Sequence, residues 1–175
     1  MICCYGDSNT YGYDPRSPLG ERYARCWCDL LPGYEARNLG MNGRTVSAVS
    51  PQLENALGQD TELLIVMLGT NDILQGDEPP QVAGRMEMLL KAAILQHPGI
   101  SVLLLAPPDI GIPEFKEKIR QLAALYEKLA NKLGLYFLDP QCWALSMACD
   151  GVHLSEMGHT QLGRHITDFL KSRHI

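Results

Sequence analysis

No run of lysine and arginine occurs anywhere in the sequence. Acidic and basic residues are interspersed, and the net charge is −5. A protein that tracks a phosphate backbone needs a basic stripe, so nucleic acid is not an expected partner. Long hydrophobic runs are missing as well. The longest, Leu63–Leu68 and Val102–Ala106, fall far short of the roughly 20 apolar residues that span a bilayer. No membrane partner is expected. A secretory leader would need a basic stretch and a longer apolar core ahead of the first polar motif, and the five residues before that motif have neither. The sequence therefore predicts a cytoplasmic protein.

Paired metal-binding cysteines are also absent. The six cysteines form no C-x-x-C pair, which argues against a zinc site. A disulfide framework does not suit a cytoplasmic chain of this size. Cys3 and Cys4 sit in an apolar strand-like stretch. Cys26 and Cys28 fall in an expected helix, where residues two apart point to different sides. The expected role of the cysteines is that of small buried apolar residues. Internal repeats and low-complexity segments are lacking too.

What is present is an ordinary globular composition: 175 residues, 46% hydrophobic and 20% charged. That length predicts one domain, residues 1–175. Apolar runs of strand length alternate with longer helical patterns. The expected strands are Ile2–Tyr5, Tyr34–Asn38, Leu63–Met67, Val102–Ala106 and Tyr136–Leu138. Phe115, Ile119, Leu122, Tyr126, Leu129 and Leu133 recur at steps of three or four and predict a helix over Glu114–Leu133. Val82, Met86, Leu89, Ala93 and Ile94 make a second stripe, and Leu162, Ile166, Phe169 and Leu170 a third. Arg22–Leu31 is expected to be the first helix. Such alternation predicts an α/β protein with a parallel sheet covered on both faces. The unbroken apolar LLIVM and VLLLA suit central strands. Five strands fit a doubly wound, flavodoxin-like sheet, whose ligands bind beyond the carboxyl ends of the strands.

The segments after the strands are indeed polar and rich in glycine. They read Gly6-Asp7-Ser8-Asn9, Gly40-Met41-Asn42-Gly43-Arg44-Thr45, Gly69-Thr70-Asn71-Asp72 and Pro107-Pro108-Asp109, and a late loop reads Asp150-Gly151-Val152-His153. Ser8 could be a helix cap, part of a phosphate cradle or a nucleophile. A nucleophile needs a base. Of the five histidines, only His153 lies in a loop with an acid close by, Asp150 three residues earlier. A carboxylate there can hold Nδ1–H and leave Nε2 facing Ser8. D-x-x-H is equally the sequence of a solvated turn. Acyl chemistry also needs donors for an oxyanion. The backbone N–H groups of Ser8 and Gly43 and the side-chain amide of Asn71 are candidates. Their plainer readings are turn residues.

Together these residues resemble the four blocks of the GDSL or SGNH hydrolases, in order and over nearly the whole chain. GDSN-T-x-G, LGTND and DGxH are similar to the arylesterase and acyltransferase branch of that family. The resemblance implies a three-layer α/β/α sandwich and a serine esterase. Ser8 would be the nucleophile, His153 the base and then the acid, and Asp150 the residue that orients His153. Ser8, Gly43 and Asn71 would supply the oxyanion hole. Arg44-Thr45, which follow, favour Gly43 over Gly40 for this role. No metal and no organic cofactor is implied, and homo-oligomers occur in that branch. The block-one Asn9 stands where the family name has leucine. G-x-S-x-G is absent, which separates the chain from α/β-hydrolases.

Asp7, Asn9, Tyr11, Ile110 and Ile112 are expected to border a substrate pocket, with Tyr13 and Pro113 beside them. The chain is too short for a large lid over a lipid tail, so the expected partner is a small-molecule ester with a short acyl chain. Carbohydrate acetylesterase or thioesterase chemistry would use the same residues. From another class, a non-catalytic flavodoxin-like module could bind an anion at Asp7-Ser8-Asn9-Thr10. It would give Asn71, Asp150 and His153 nothing to do.

Overall fold

The structure, a computed structural model, describes residues 1–31, 33–47, 50–58 and 60–175. Five strands form one parallel sheet in the order β2-β1-β3-β4-β5. They are β1 (Ile2–Gly6), β2 (Ala36–Gly40), β3 (Leu63–Met67), β4 (Ser101–Leu105) and β5 (Tyr136–Leu138). The helices are α1 (Ser8–Tyr11), α2 (Pro51–Ala56), α3 (Thr70–Leu74), α4 (Pro79–Gln96), α5 (Pro113–Leu133) and α6 (Glu156–Arg173). This is the flavodoxin-like order. The sequence is continuously apolar at β3 because both faces of that strand are covered. Leu64 and Val66 join the core under α2, α4 and α5, while Leu63, Ile65 and Met67 join the core under α6. Adjacent side chains alternate across the sheet, so Cys3 enters the first core and Cys4 the second.

The helical stripes pack as their spacing predicts. In α5, Ile119, Leu122, Tyr126 and Leu129 are buried, and the helix ends on Gly134 in the left-handed conformation. In α4, Pro79 starts the helix, and Val82, Met86, Leu89 and Ala93 are buried. Among the described residues, no helix is long and apolar enough to cross a membrane.

Two elements differ from expectation by more than one residue at an end. The second strand runs Ala36–Gly40, two residues later than Tyr34–Asn38. It is a half-exposed edge strand, and its register is set by pairing Gly40 with Gly6. The apolar ring of Tyr34 belongs instead to a contact with the chain's end, where its hydroxyl donates to the Ile175 carbonyl at 2.7 Å. The helix expected over Arg22–Leu31 is only a 3-10 turn, Trp27–Leu30. Arg22 pairs in antiparallel fashion with Tyr13, which keeps the preceding chain extended. The Asp29 carboxylate then accepts the Cys26 N–H at 2.9 Å and starts the turn.

The cysteines divide accordingly. Cys3, Cys4, Cys26 and Cys28 are buried, but Cys142 and Cys149 are exposed. In the absence of a helix, Cys26 and Cys28 do not diverge. Both thiols reach the Thr10 carbonyl, at 3.5 and 3.7 Å.

The turn after β3 requires glycine. Gly69 has φ +123, and a Cβ there would lie 2.6 Å from Leu122 Cδ2. Gly69→Ala is therefore expected to cost about 2 kcal/mol or more from backbone strain alone, read as a lower urea midpoint. A midpoint unchanged from wild type would show that the turn tolerates a side chain.

Candidate active site

Strand β1 ends at Gly6, and Asp7 turns the chain into α1. Its carboxylate accepts the Asn9 N–H at 2.9 Å and caps the helix. The capping role that the sequence left open for Ser8 thus falls to Asp7, and the Ser8 hydroxyl is free for another partner. Asp7 is buried, and burial pushes its carboxyl up to about 7, with the Asp72 charge adding to the shift and the Asn9 N–H and Arg44 opposing it. Thr10 and Tyr11 N–H both bond the Asp7 carbonyl, and Gly12 closes the turn in the left-handed conformation.

The partner of Ser8 comes from the other end of the chain. His153 Nε2 lies 2.9 Å from Ser8 Oγ. On the far side of the ring, Nδ1 lies 2.5 Å from Asp150 Oδ2. Asp150 Oδ1 accepts the Val152 and His153 N–H groups, each at 3.0 Å. Burial acts against the Asp150 anion, yet hydrogen bonds from the His153 ring and these two N–H groups hold its carboxyl below the ordinary range. With a carboxylate at Nδ1, the proton of the neutral ring sits there and Nε2 accepts from the serine. Tyr13 packs against the His153 ring, centroids 4.7 Å apart. The Gly111 N–H donates to the Gly151 carbonyl at 2.7 Å and holds the loop from outside.

Asn71, in the first turn of α3, gives one amide hydrogen to the Arg44 carbonyl at 2.9 Å. A primary amide has a second to offer. Gly43 lies in an exposed turn with φ +73, and nothing stands within 4 Å of where its Cβ would be. Ser8, Gly43 and Asn71 follow β1, β2 and β3, which are neighbours in the sheet. A buried network that the sequence did not announce fixes the last two. The Asp72 carboxylate, fully buried, accepts the Val46 N–H at 3.0 and 3.1 Å and an Arg85 N–H at 2.7 Å. Arg85 Nε also donates to the Val46 carbonyl at 3.0 Å. Burial raises the Asp72 carboxyl, against the pull of Arg85 and Val46 N–H. Arg44 donates to the Gly6 carbonyl at 2.8 Å and lies 4.2 Å from the Tyr5 ring centre, joining the second loop to the end of β1. The signal for this network was Asp72 itself, because a carboxylate inside a buried motif requires a cation.

The expected pocket residues separate. Tyr11 and Ile112 are half-buried. Ile110 is buried in the core. Asp7 and Asn9 are buried beneath the turn that carries Ser8, where they hold backbone. A cleft of about 210 Å³ is lined by Asp109, Ile110, Gly111, Lys116, Gln141 and Met147, so Ile110 also borders a cleft. Of the other histidines, His165 stacks on Trp143 at 4.3 Å. His159 is fully buried with neither ring nitrogen hydrogen-bonded, and burial first, then the Arg22 charge, push it down to about 4. Among the described residues no three His, Cys, Asp or Glu side chains are grouped to hold a metal ion.

With the geometry established, comparison with known proteins is informative. The profile of the GDSL-like lipase/acylhydrolase family matches residues 4–161. No curated protein matches the chain. Among solved structures, the aryl esterase of M. smegmatis is 26% identical, with 98% of each chain covered and a TM-score of 0.84. Est24, a carbohydrate acetylesterase from Sinorhizobium meliloti, gives the same identity, coverage and TM-score. The α/β fold is that of the SGNH hydrolases.

The raised Asp7 carboxyl has a consequence for stability. Between the ordinary value of 3.8 and about 7, the folded chain keeps a proton that the unfolded chain has released. This contribution is greatest below 3.8 and is lost as pH rises to about 7. Asp7→Asn retains an acceptor for the Asn9 N–H and cannot ionise. Its stability relative to wild type is expected to increase from pH 4 to pH 8 in urea denaturation. A pH-independent difference would rule the account out.

Proposed function

Because the chain belongs to the GDSL-like lipase/acylhydrolase family, we propose that it is a serine esterase acting on short-chain carboxylic esters through an acyl-enzyme on Ser8. The reading rests on one observation, the continuous contact from Ser8 Oγ to His153 Nε2 and from His153 Nδ1 to Asp150. In the first half-reaction Ser8 Oγ attacks the ester carbonyl carbon and its proton passes to His153 Nε2. The Asp150 carboxylate stabilises the imidazolium. Charge developing on the carbonyl oxygen is met by the Ser8 and Gly43 N–H groups and the free Asn71 amide hydrogen. The C–O bond to the alcohol then breaks, and the alkoxide leaves with the proton from His153. In the second half-reaction His153 takes a proton from water, the hydroxide oxygen attacks the acyl carbon, and Ser8 recovers its proton as the acid departs. An alcohol in place of that water makes the reaction acyl transfer.

Small esters are the substrates this reading favours. The two similar structures, aligned with 98% of this chain, are an aryl esterase and a carbohydrate acetylesterase. Tyr13 against the His153 ring narrows the approach to the nucleophile.

Hydrolysis of p-nitrophenyl acetate and p-nitrophenyl octanoate tests the proposal. Ser8→Ala is expected to lower kcat by about 10³-fold or more, and His153→Ala by a similar factor, because the two act as a unit. Asp150→Asn is expected to cost less. Acetate should be preferred to octanoate, and a fluorophosphonate should label Ser8. Near wild-type turnover by Ser8→Ala would remove the nucleophile assignment.

A further inference from the structure

We infer that Asn9 is the positioning residue that holds the His153 loop against the nucleophile turn, an assignment that builds on the esterase reading above. The Asn9 side chain is 1% exposed and uses both ends of its amide. Nδ2 donates to the Val152 carbonyl at 3.2 Å, and Oδ1 accepts the Leu154 N–H at 2.7 Å. These two groups flank His153 in the chain. One planar amide therefore fixes the backbone on both sides of the histidine, from the residue next to Ser8.

Asn9 is itself immobilised. Its N–H is bound by the Asp7 carboxylate at 2.9 Å, and its carbonyl accepts the Trp27 indole N–H at 3.0 Å. The remaining bonds of the histidine loop run elsewhere. Ala148 N–H donates to the His153 carbonyl, and Gly111 N–H to the Gly151 carbonyl. Among the described residues, the hydrogen bonds that join residues 7–12 to residues 148–155 are the two from Asn9 and the Ser8–His153 contact. The contact between serine and histidine must hold its distance through changes of proton and charge. A fixed fork beside it sets that distance without taking part in the proton transfer. A leucine at this position branches at the same carbon, with the same number of side-chain heavy atoms, but it has no donor or acceptor for the two backbone groups. Asparagine is thus specified here by hydrogen bonding and not by packing.

The test compares wild type with Asn9→Leu, which keeps the branched shape without the polar atoms, and Asn9→Ala, which removes both. Circular dichroism establishes that each is folded, and the second variant decides if leucine does not fit. Two readouts are taken: kcat and KM for p-nitrophenyl acetate, and hydrogen exchange of the Leu154 amide. The expected result is a fall of about 10- to 100-fold in kcat with KM within a factor of about three, the cost of a misplaced catalytic group. Exchange at Leu154 should rise in parallel. Unchanged Leu154 protection in a folded variant overturns the assignment, and so does faster exchange with wild-type kcat. If fluorophosphonate fails to label Ser8 in wild type, the esterase reading falls, while the exchange comparison still decides whether Asn9 holds the loop.

Discussion

Strand β1 lies between β2 and β3, so whatever follows it has the ends of two neighbours on either side. That placement is the constraint on which the site depends. The chain must stop being a strand at Gly6 and present a side chain two residues later. Gly6 permits this because a Cβ there would fall 2.6 Å from the Met67 carbonyl and 2.0 Å from the Thr10 hydroxyl. Asp7 then caps the turn, and Ser8 emerges with loops from both adjacent strands within reach. The loops after β2 and β3 bring Gly43 and Asn71 to the same edge by parallel pairing alone. Only the histidine must be delivered from a distance, from a loop that follows the last strand.

The materials that build this edge are not the ones that stabilise the fold. The two apolar cores on the faces of the sheet supply most of the burial. The edge instead contains buried carboxylates, Asp7 and Asp72, one of them paired with Arg85. A buried ion pair contributes little net stability, since desolvation offsets the attraction. What Asp72 contributes is direction. It binds the Val46 backbone of the second loop while sitting in the turn that carries Asn71, so that loop and Asn71 do not move independently. Under the proposed reading Gly43 and Asn71 are oxyanion donors, which act by being fixed before charge appears, and this network would restrain the loops that carry them.

The sequence made some of this legible and hid the rest for physical reasons. Strand β3 was readable to the residue because burial on both faces leaves no polar interruption. The edge strand β2 was misplaced by two residues, since its register comes from pairing with β1 and not from its own pattern. The helix expected at Arg22–Leu31 rested on local composition, and the pairing of Arg22 with Tyr13 overrode it. Asp150 and His153 could be associated because they are three residues apart. Asn9 could not be associated with Val152 and Leu154, which lie 143 and 145 residues away. It was expected at a pocket, whereas it is buried and fully engaged. Arg85 was invisible as one cation among many on a helix, and only the buried Asp72 gives it meaning.

The site is therefore held in two ways. Its donor half is joined by charge-assisted bonds from Arg85 and Arg44 and by strand pairing. Its acid–base half meets the nucleophile turn through the neutral amide of Asn9, the Ser8–His153 bond and the Tyr13 ring. That asymmetry suits the chemistry. Oxyanion donors serve best when they do not move, so strong bonds with no proton to exchange are suited to them. In the proposed mechanism the imidazole gains and loses a charge in every half-reaction, and Asp150 already supplies the carboxylate that favours its charged state over its neutral one. A neutral amide holds position equally well in both. Asparagine satisfies that condition, whereas an ionised aspartate at position 9 would add a second carboxylate near the ring and could not donate to the Val152 carbonyl.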